Sequence, residues 1–182
     1  MAANAKLPFL PPARPRRSRE SIDALARAAG VTAAVYLVGI RGYYHDDHGD
    51  NQRGLYDDAL FLVTPQSFIA FNANVDPSVF RRGIAKLKNG LWSYKVGTHG
   101  LSKPKSQQYT ALVQAAEVTV IRDGTGPDTG MFGINIHRGG NSGTSSLGCQ
   151  TIHPSQWEAF IGMVRSESAR QNQRIIPYLL TE

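Results

Sequence analysis

The stretch Ile134-Asn-Ile-His137-Arg138-Gly-Gly-Asn-Ser-Gly-Thr-Ser-Ser146-Leu147-Gly148-Cys149-Gln150-Thr-Ile152 organises the reading of this chain. Phe132 to Ile136 reads as a strand that runs straight into a histidine. The residues after Arg138 are glycine, serine, threonine and asparagine, a composition that loops favour and cores do not. The loop ends on Cys149, the only cysteine in 182 residues. A lone cysteine forms no internal disulfide and no cysteine-based zinc site, so it is either a small buried hydrophobe or a reactive thiol. A catalytic thiol needs a base and donors for the oxyanion formed on attack. His137 at a strand end supplies the first. The Cys149 amide supplies a donor, and Gly148 allows close backbone approach.

Outward from this segment the chain reads as many short strands with few helices. Ser18 or Ser21 caps a helix over Ile22–Ala29, stopped by Gly30. Residues 31–40 form a buried, Val- and Ile-rich strand. Ala59–Thr64 and Ser67–Asn72 form a pair joined by Pro65-Gln66. A strand starts at Gly90 and a basic loop covers Gly97–Lys105. Val118–Ile121 is a strand, and Asp123–Pro127 a turn. Trp157, Phe160, Ile161 and Val164 fall at i, i+3, i+4 and i+7 of a helix over 155–168. His153 and Pro154 start that helix, and Ile175–Leu180 closes the chain. This is a mainly β fold with peripheral helices (α+β). Residues 18–182 make one catalytic domain, and residues 1–17 a flexible, basic, Pro-rich leader.

Ile136-His137-Arg-Gly, followed by Ser146-Leu-Gly148-Cys149, resembles the active-site signature of the L,D-transpeptidases, the YkuD-like domains that process bacterial peptidoglycan. The resemblance spans about sixteen residues. It implies a YkuD-like β-sandwich, Cys149 as nucleophile and His137 as its base. It implies further that the Arg138 backbone carbonyl orients the imidazole, that Ser146 supports the loop, and that the amides of Gly148 and Cys149 form the oxyanion hole. Three departures stand out: a His137–Cys149 interval of 12 that is shorter than usual, Leu147 where histidine is common, and Gln150 where arginine or asparagine is usual. Without a leader or anchor, the chain looks more like a phage-type wall hydrolase, an endolysin made in the cytoplasm without a Sec signal and released to the wall by a holin. The expected activity is cleavage of a stem-peptide or crossbridge amide through a thioester. Transpeptidation or carboxypeptidation is the alternative within enzymes, and a non-catalytic wall-binding or virion module the alternative outside them.

The excess of 20 basic over 14 acidic residues, net +6, suits an anionic partner such as peptidoglycan. The basic leader carries no nucleic-acid recognition motif, and no apolar run reaches the ~18 residues of a membrane span. No cofactor or metal is expected. His45-Asp-Asp-His48-Gly-Asp50 reads as a turn-rich loop rather than a zinc site, since its spacing is not that of a helical His pair. His99 is a candidate substrate contact together with Tyr94, on the same reading that places Lys95 beside the cleft. Tyr43, Tyr44 and Tyr56 are cleft wall or core. An activated thiol should alkylate faster than an ordinary one near neutral pH.

Overall fold

The computed structural model describes residues 16–44 and 51–182. The His45–Asp50 loop, and the leader up to residue 15, lie outside the described residues. Arg16 and Arg17, placed in the leader by sequence, are tied to the domain: both amides donate to the Tyr43 hydroxyl, at 2.6 and 2.8 Å.

Helix α1 spans Arg19–Ala28. Ser18 is the cap of the two serines considered; its hydroxyl accepts from the Ser21 amide and satisfies a donor that the first turn leaves open. Gly30, at φ +88°, turns the chain out of the helix. Strand β1 then covers Tyr36–Ile40, with all five residues buried. That burial has two sources, because neighbouring side chains point to opposite faces. Leu37 faces a core with Leu60 and Leu62. Tyr36, Val38 and Ile40 pack with Ile22 and Ala26 of α1. Residues 31–35, expected within the strand, precede it.

The remaining strands are β2 (Asp58–Val63), β3 (Phe68–Asn74), β4 (Ala85–Leu87), β5 (Gly90–His99), β6 (Tyr109–Gln114), β7 (Val118–Arg122), β8 (Gly126–Gly130), β9 (Ile136–Arg138), β10 (Gln150–Ile152) and β11 (Ile176–Thr181). Eight of the eleven strands close into a barrel in the order β1-β11-β5-β6-β9-β10-β3-β2, and β4-β7-β8 form a separate small sheet. The fold is thus mainly β, as the sequence implies, but the main sheet is a closed barrel where two stacked sheets were expected. Closure comes from β1, which pairs antiparallel with β2 on one side and parallel with β11 on the other. Such pairing leaves neither strand edge of the main sheet open. β8 contains Pro127 and occupies an edge of the small sheet, where a missing N–H is tolerated.

Helix α2 spans Pro154–Arg170; His153 caps it by accepting from the Ser155 amide, and Pro154 fills its first position. Trp157, Phe160, Ile161 and Val164 join the same core as Leu112, Ile136 and Ile152. Phe160 meets Phe71 edge to face at 5.2 Å. This helix therefore clamps the strands that carry the candidate site. Tyr43, Tyr44 and Tyr56 are all buried; Tyr44 and Tyr56 belong to the packed interior, while Tyr43 also borders a cavity beside Arg41 and Lys86. No helix among the described residues is long and apolar enough to cross a membrane.

Candidate active site

A pair of short parallel strands carries His137 and begins immediately after Cys149. In the register of β9 and β10, Gln150 faces Ile136 and Thr151 faces His137. The Gln150 amide donates to the Asn135 carbonyl at 2.8 Å and so fixes Cys149 beside Asn135. Residues 135 and 137 share a face by the period of two, as do 149 and 151. The Cys149 sulfur sits between the Asn135 N–H, which donates to it at 3.4 Å, and the Gly133 carbonyl at 3.5 Å.

Parallel strands need a long crossover, and here the Gly- and Ser-rich segment provides it. Tyr56 pins its start by donating to the Gly140 carbonyl at 2.8 Å. Ser78 pins its end: its amide donates to the Ser146 carbonyl, and its hydroxyl accepts from the Ser146 amide, both at 2.8 Å. The Ser146 hydroxyl then donates to the Cys149 carbonyl at 2.6 Å and accepts from the Gly148 amide at 3.1 Å. Gly148 has φ +143°, and a Cβ there would lie 2.8 Å from the Ala85 carbonyl oxygen. Only glycine fits that approach.

This arrangement alters the oxyanion donors expected from sequence. The Gly148 N–H is already bound to Ser146, so it is not free to receive an oxyanion. The Cys149 N–H has no hydrogen-bond partner among the described residues and remains available. Gln150 faces inward: it is fully buried and accepts from the Tyr178 hydroxyl at 3.1 Å. Leu147, by contrast, is 66% exposed at the rim.

The imidazole of His137 is buried, and its Nδ1 lies 2.8 Å from the Arg138 carbonyl. A carbonyl only accepts, so Nδ1 carries the proton and Nε2 keeps its lone pair. His99 stacks on His137, with ring centroids 4.1 Å apart and planes inclined by 21°. It lies at the end of β5 rather than in a loop, and the Asn135 amide group donates to its Nδ1 at 3.2 Å. Tyr109 reaches the same carbonyl as His137 at 3.5 Å, and the Arg138 guanidinium lies over its ring. Asn135 and Tyr109 were not singled out in the sequence. Asn135 was visible in principle, being two residues before His137 on one strand. Tyr94 is fully buried, edge to face with Tyr178 at 5.6 Å, which removes it from the cleft wall. It is Lys95, one residue on, that faces outward.

Burial, reinforced by His99, pushes His137 down to about 4. Burial and Lys103 also hold His99 below the ordinary histidine value. Crowded surroundings push the Cys149 thiol up, opposed by the Asn135 N–H. Both members are therefore neutral at pH 7, a thiol beside an unprotonated imidazole, rather than a ready-made thiolate–imidazolium pair. The iodoacetamide rate at Cys149, followed by intact-protein mass spectrometry, should stay low at neutral pH and go on climbing above the pH at which an ordinary thiol has ionised. A plateau already reached below pH 7 would mean a resting ion pair.

No group of three or more metal-ligating side chains occurs among the described residues. Comparison with family models, curated proteins and solved structures gives no match to this chain.

Proposed function

We propose that this chain is a cysteine-dependent peptidase of bacterial peptidoglycan, of the endolysin type, cleaving a stem-peptide or crossbridge amide. The observation that carries the reading is the neutral His137, its Nδ1 proton held by the Arg138 carbonyl, on the strand beside the one that follows Cys149. In the proposed reaction, His137 Nε2 takes the thiol proton as Cys149 Sγ adds to the peptide carbonyl. The Cys149 N–H faces the oxyanion so formed. The C–N bond breaks, the leaving nitrogen takes the proton from Nε2, and a thioester remains. Water, deprotonated by the same nitrogen, then releases the acid and restores the thiol. The resemblance to the L,D-transpeptidases and the net charge of +6 support a wall polymer as substrate.

The test is digestion of purified sacculi with native protein and with protein fully alkylated at Cys149 at alkaline pH. The native protein should release muropeptides with new free amino termini, in the presence of EDTA as well as without it. New crosslinks would instead mean transpeptidation, and loss of one terminal residue carboxypeptidation. Binding to sacculi without any product would identify a wall-binding module and sink the enzymatic reading.

A further inference from the structure

Cys149 lies between two clefts of different character. The first has a volume of about 720 Å³ and is lined by His99, Lys103, Met131, Gly133 and Asn135. The second, of about 420 Å³, has a floor of Ala85 and Ile134, a wall of Leu147, and a rim of Arg81, Arg82 and Arg122. Gly148 joins the second cleft to the thiol, since any side chain there would run into the Ala85 carbonyl and Ile134.

The acidic groups near that rim are already engaged. Asp123 receives both guanidinium nitrogens of Arg53, at 2.6 and 2.7 Å, and Asp128 receives Arg122 at 2.7 Å. Arg81 and Arg82 are exposed, and neither side chain has an ion-pair partner among the described residues. Two uncompensated guanidiniums over an apolar floor suit a carboxylate carried on a short aliphatic segment.

The position of the base decides which part of a substrate meets them. His137 must reach the leaving nitrogen to protonate it, and the His99 ring stacked on it forms the wall of the first cleft. The leaving amine therefore occupies the first cleft, and the acyl portion runs the other way, past Gly148 and Leu147. We infer that Arg81 and Arg82 form an acyl-side subsite that selects peptides carrying a free carboxylate on or next to the residue whose carbonyl Cys149 attacks. This inference rests on the peptidase reading, and deepens it by assigning the charge of the acyl donor.

A pair of short peptidyl nitriles tests it without requiring turnover. The two differ only in a side-chain carboxylate against its carboxamide. Cys149 Sγ adds to the nitrile carbon, the C≡N bond becomes C=N, and the thiol proton passes to the nitrile nitrogen. The rate of this adduct formation is read by mass spectrometry. Native protein should react with the carboxylate form about tenfold faster. In the Arg81→Gln/Arg82→Gln variant the ratio should fall to about one. Equal rates in native protein, or a preference that survives the double substitution, would overturn the subsite while leaving the peptidase reading intact. If iodoacetamide alkylates Cys149 but neither nitrile does, the thiol is not presented to peptide electrophiles, and both readings fail.

Discussion

Cys149→Ala is expected to release no measurable muropeptide from sacculi, a loss of at least about 10⁴-fold, while the protein stays folded. The chemical reason is that Cys149 is the only thiol of the chain and no neighbouring hydroxyl replaces it. The hydroxyls nearest in sequence, on Thr151 and Ser146, are both buried; the first points to the Asn74 carbonyl, and the second is committed to the Cys149 carbonyl and the Gly148 amide. The structural reason for a retained fold is that the thiol makes only long contacts, to Asn135 and Gly133. The loop is held instead by Ser78, Ser146 and Tyr56, none of which touches the sulfur. Thermal unfolding of the variant should therefore match the native protein to within a few degrees. Retained product release by the alanine variant would remove the thioester mechanism altogether. Lost activity with a collapsed melting transition would instead make the cysteine a structural residue.

Much of the scaffold was legible in the sequence, because it depends on local patterns. Ser18 and Gly30 bracket α1, Pro65-Gln66 turns β2 into β3, and the Trp157/Phe160/Ile161/Val164 stripe marks α2. What was missed depends on partners far away in the chain. β4 and β10 have three residues each, too few to show any period, and exist only because β7 and β3 pair with them. The turn read over Asp123–Pro127 hides the start of β8, because Gly126-Pro127 is composed like a turn yet is held in an edge strand by β7. Barrel closure needs β1 to find β11 across most of the chain, which no local signal announces.

The site divides in the same way. The short signature locates His137 and Cys149, and their strand register supplies the juxtaposition. From its sequence His99 reads as a loop residue, because glycines flank it at positions 97 and 100. Its pairing with Tyr109 across β5 and β6 makes it a strand end instead. Tyr94 and Lys95 are adjacent in sequence, but a strand sends neighbours to opposite faces, so only one of them reaches solvent. The occupied Gly148 amide was out of reach of any spacing argument, because it follows from where the Ser146 hydroxyl settles once Ser78 has anchored the loop.

The second large effect is expected at His137, and it separates a base from a mere packing residue. His137→Gln preserves much of the side-chain volume and can still donate to the Arg138 carbonyl, but it cannot accept a proton. Turnover should fall by about 10³-fold, within the range for loss of a general base. The same substitution should flatten the acid limb of stability. In the unfolded chain a histidine titrates near 6.5, whereas burial holds the folded one to about 4. Below pH 6.5 the unfolded state takes up a proton that the folded state refuses, so stability present at neutral pH is lost as pH falls toward 4. The group accounts for about 3 kcal/mol of that loss, an upper figure for one buried imidazole. Denaturant unfolding of native and variant protein between pH 7 and pH 4 measures the difference directly. If the two proteins lose stability in parallel, His137 is not the buried neutral imidazole required here. If stability diverges as expected but turnover is unchanged, the imidazole is a structural group, and the base that serves Cys149 lies elsewhere.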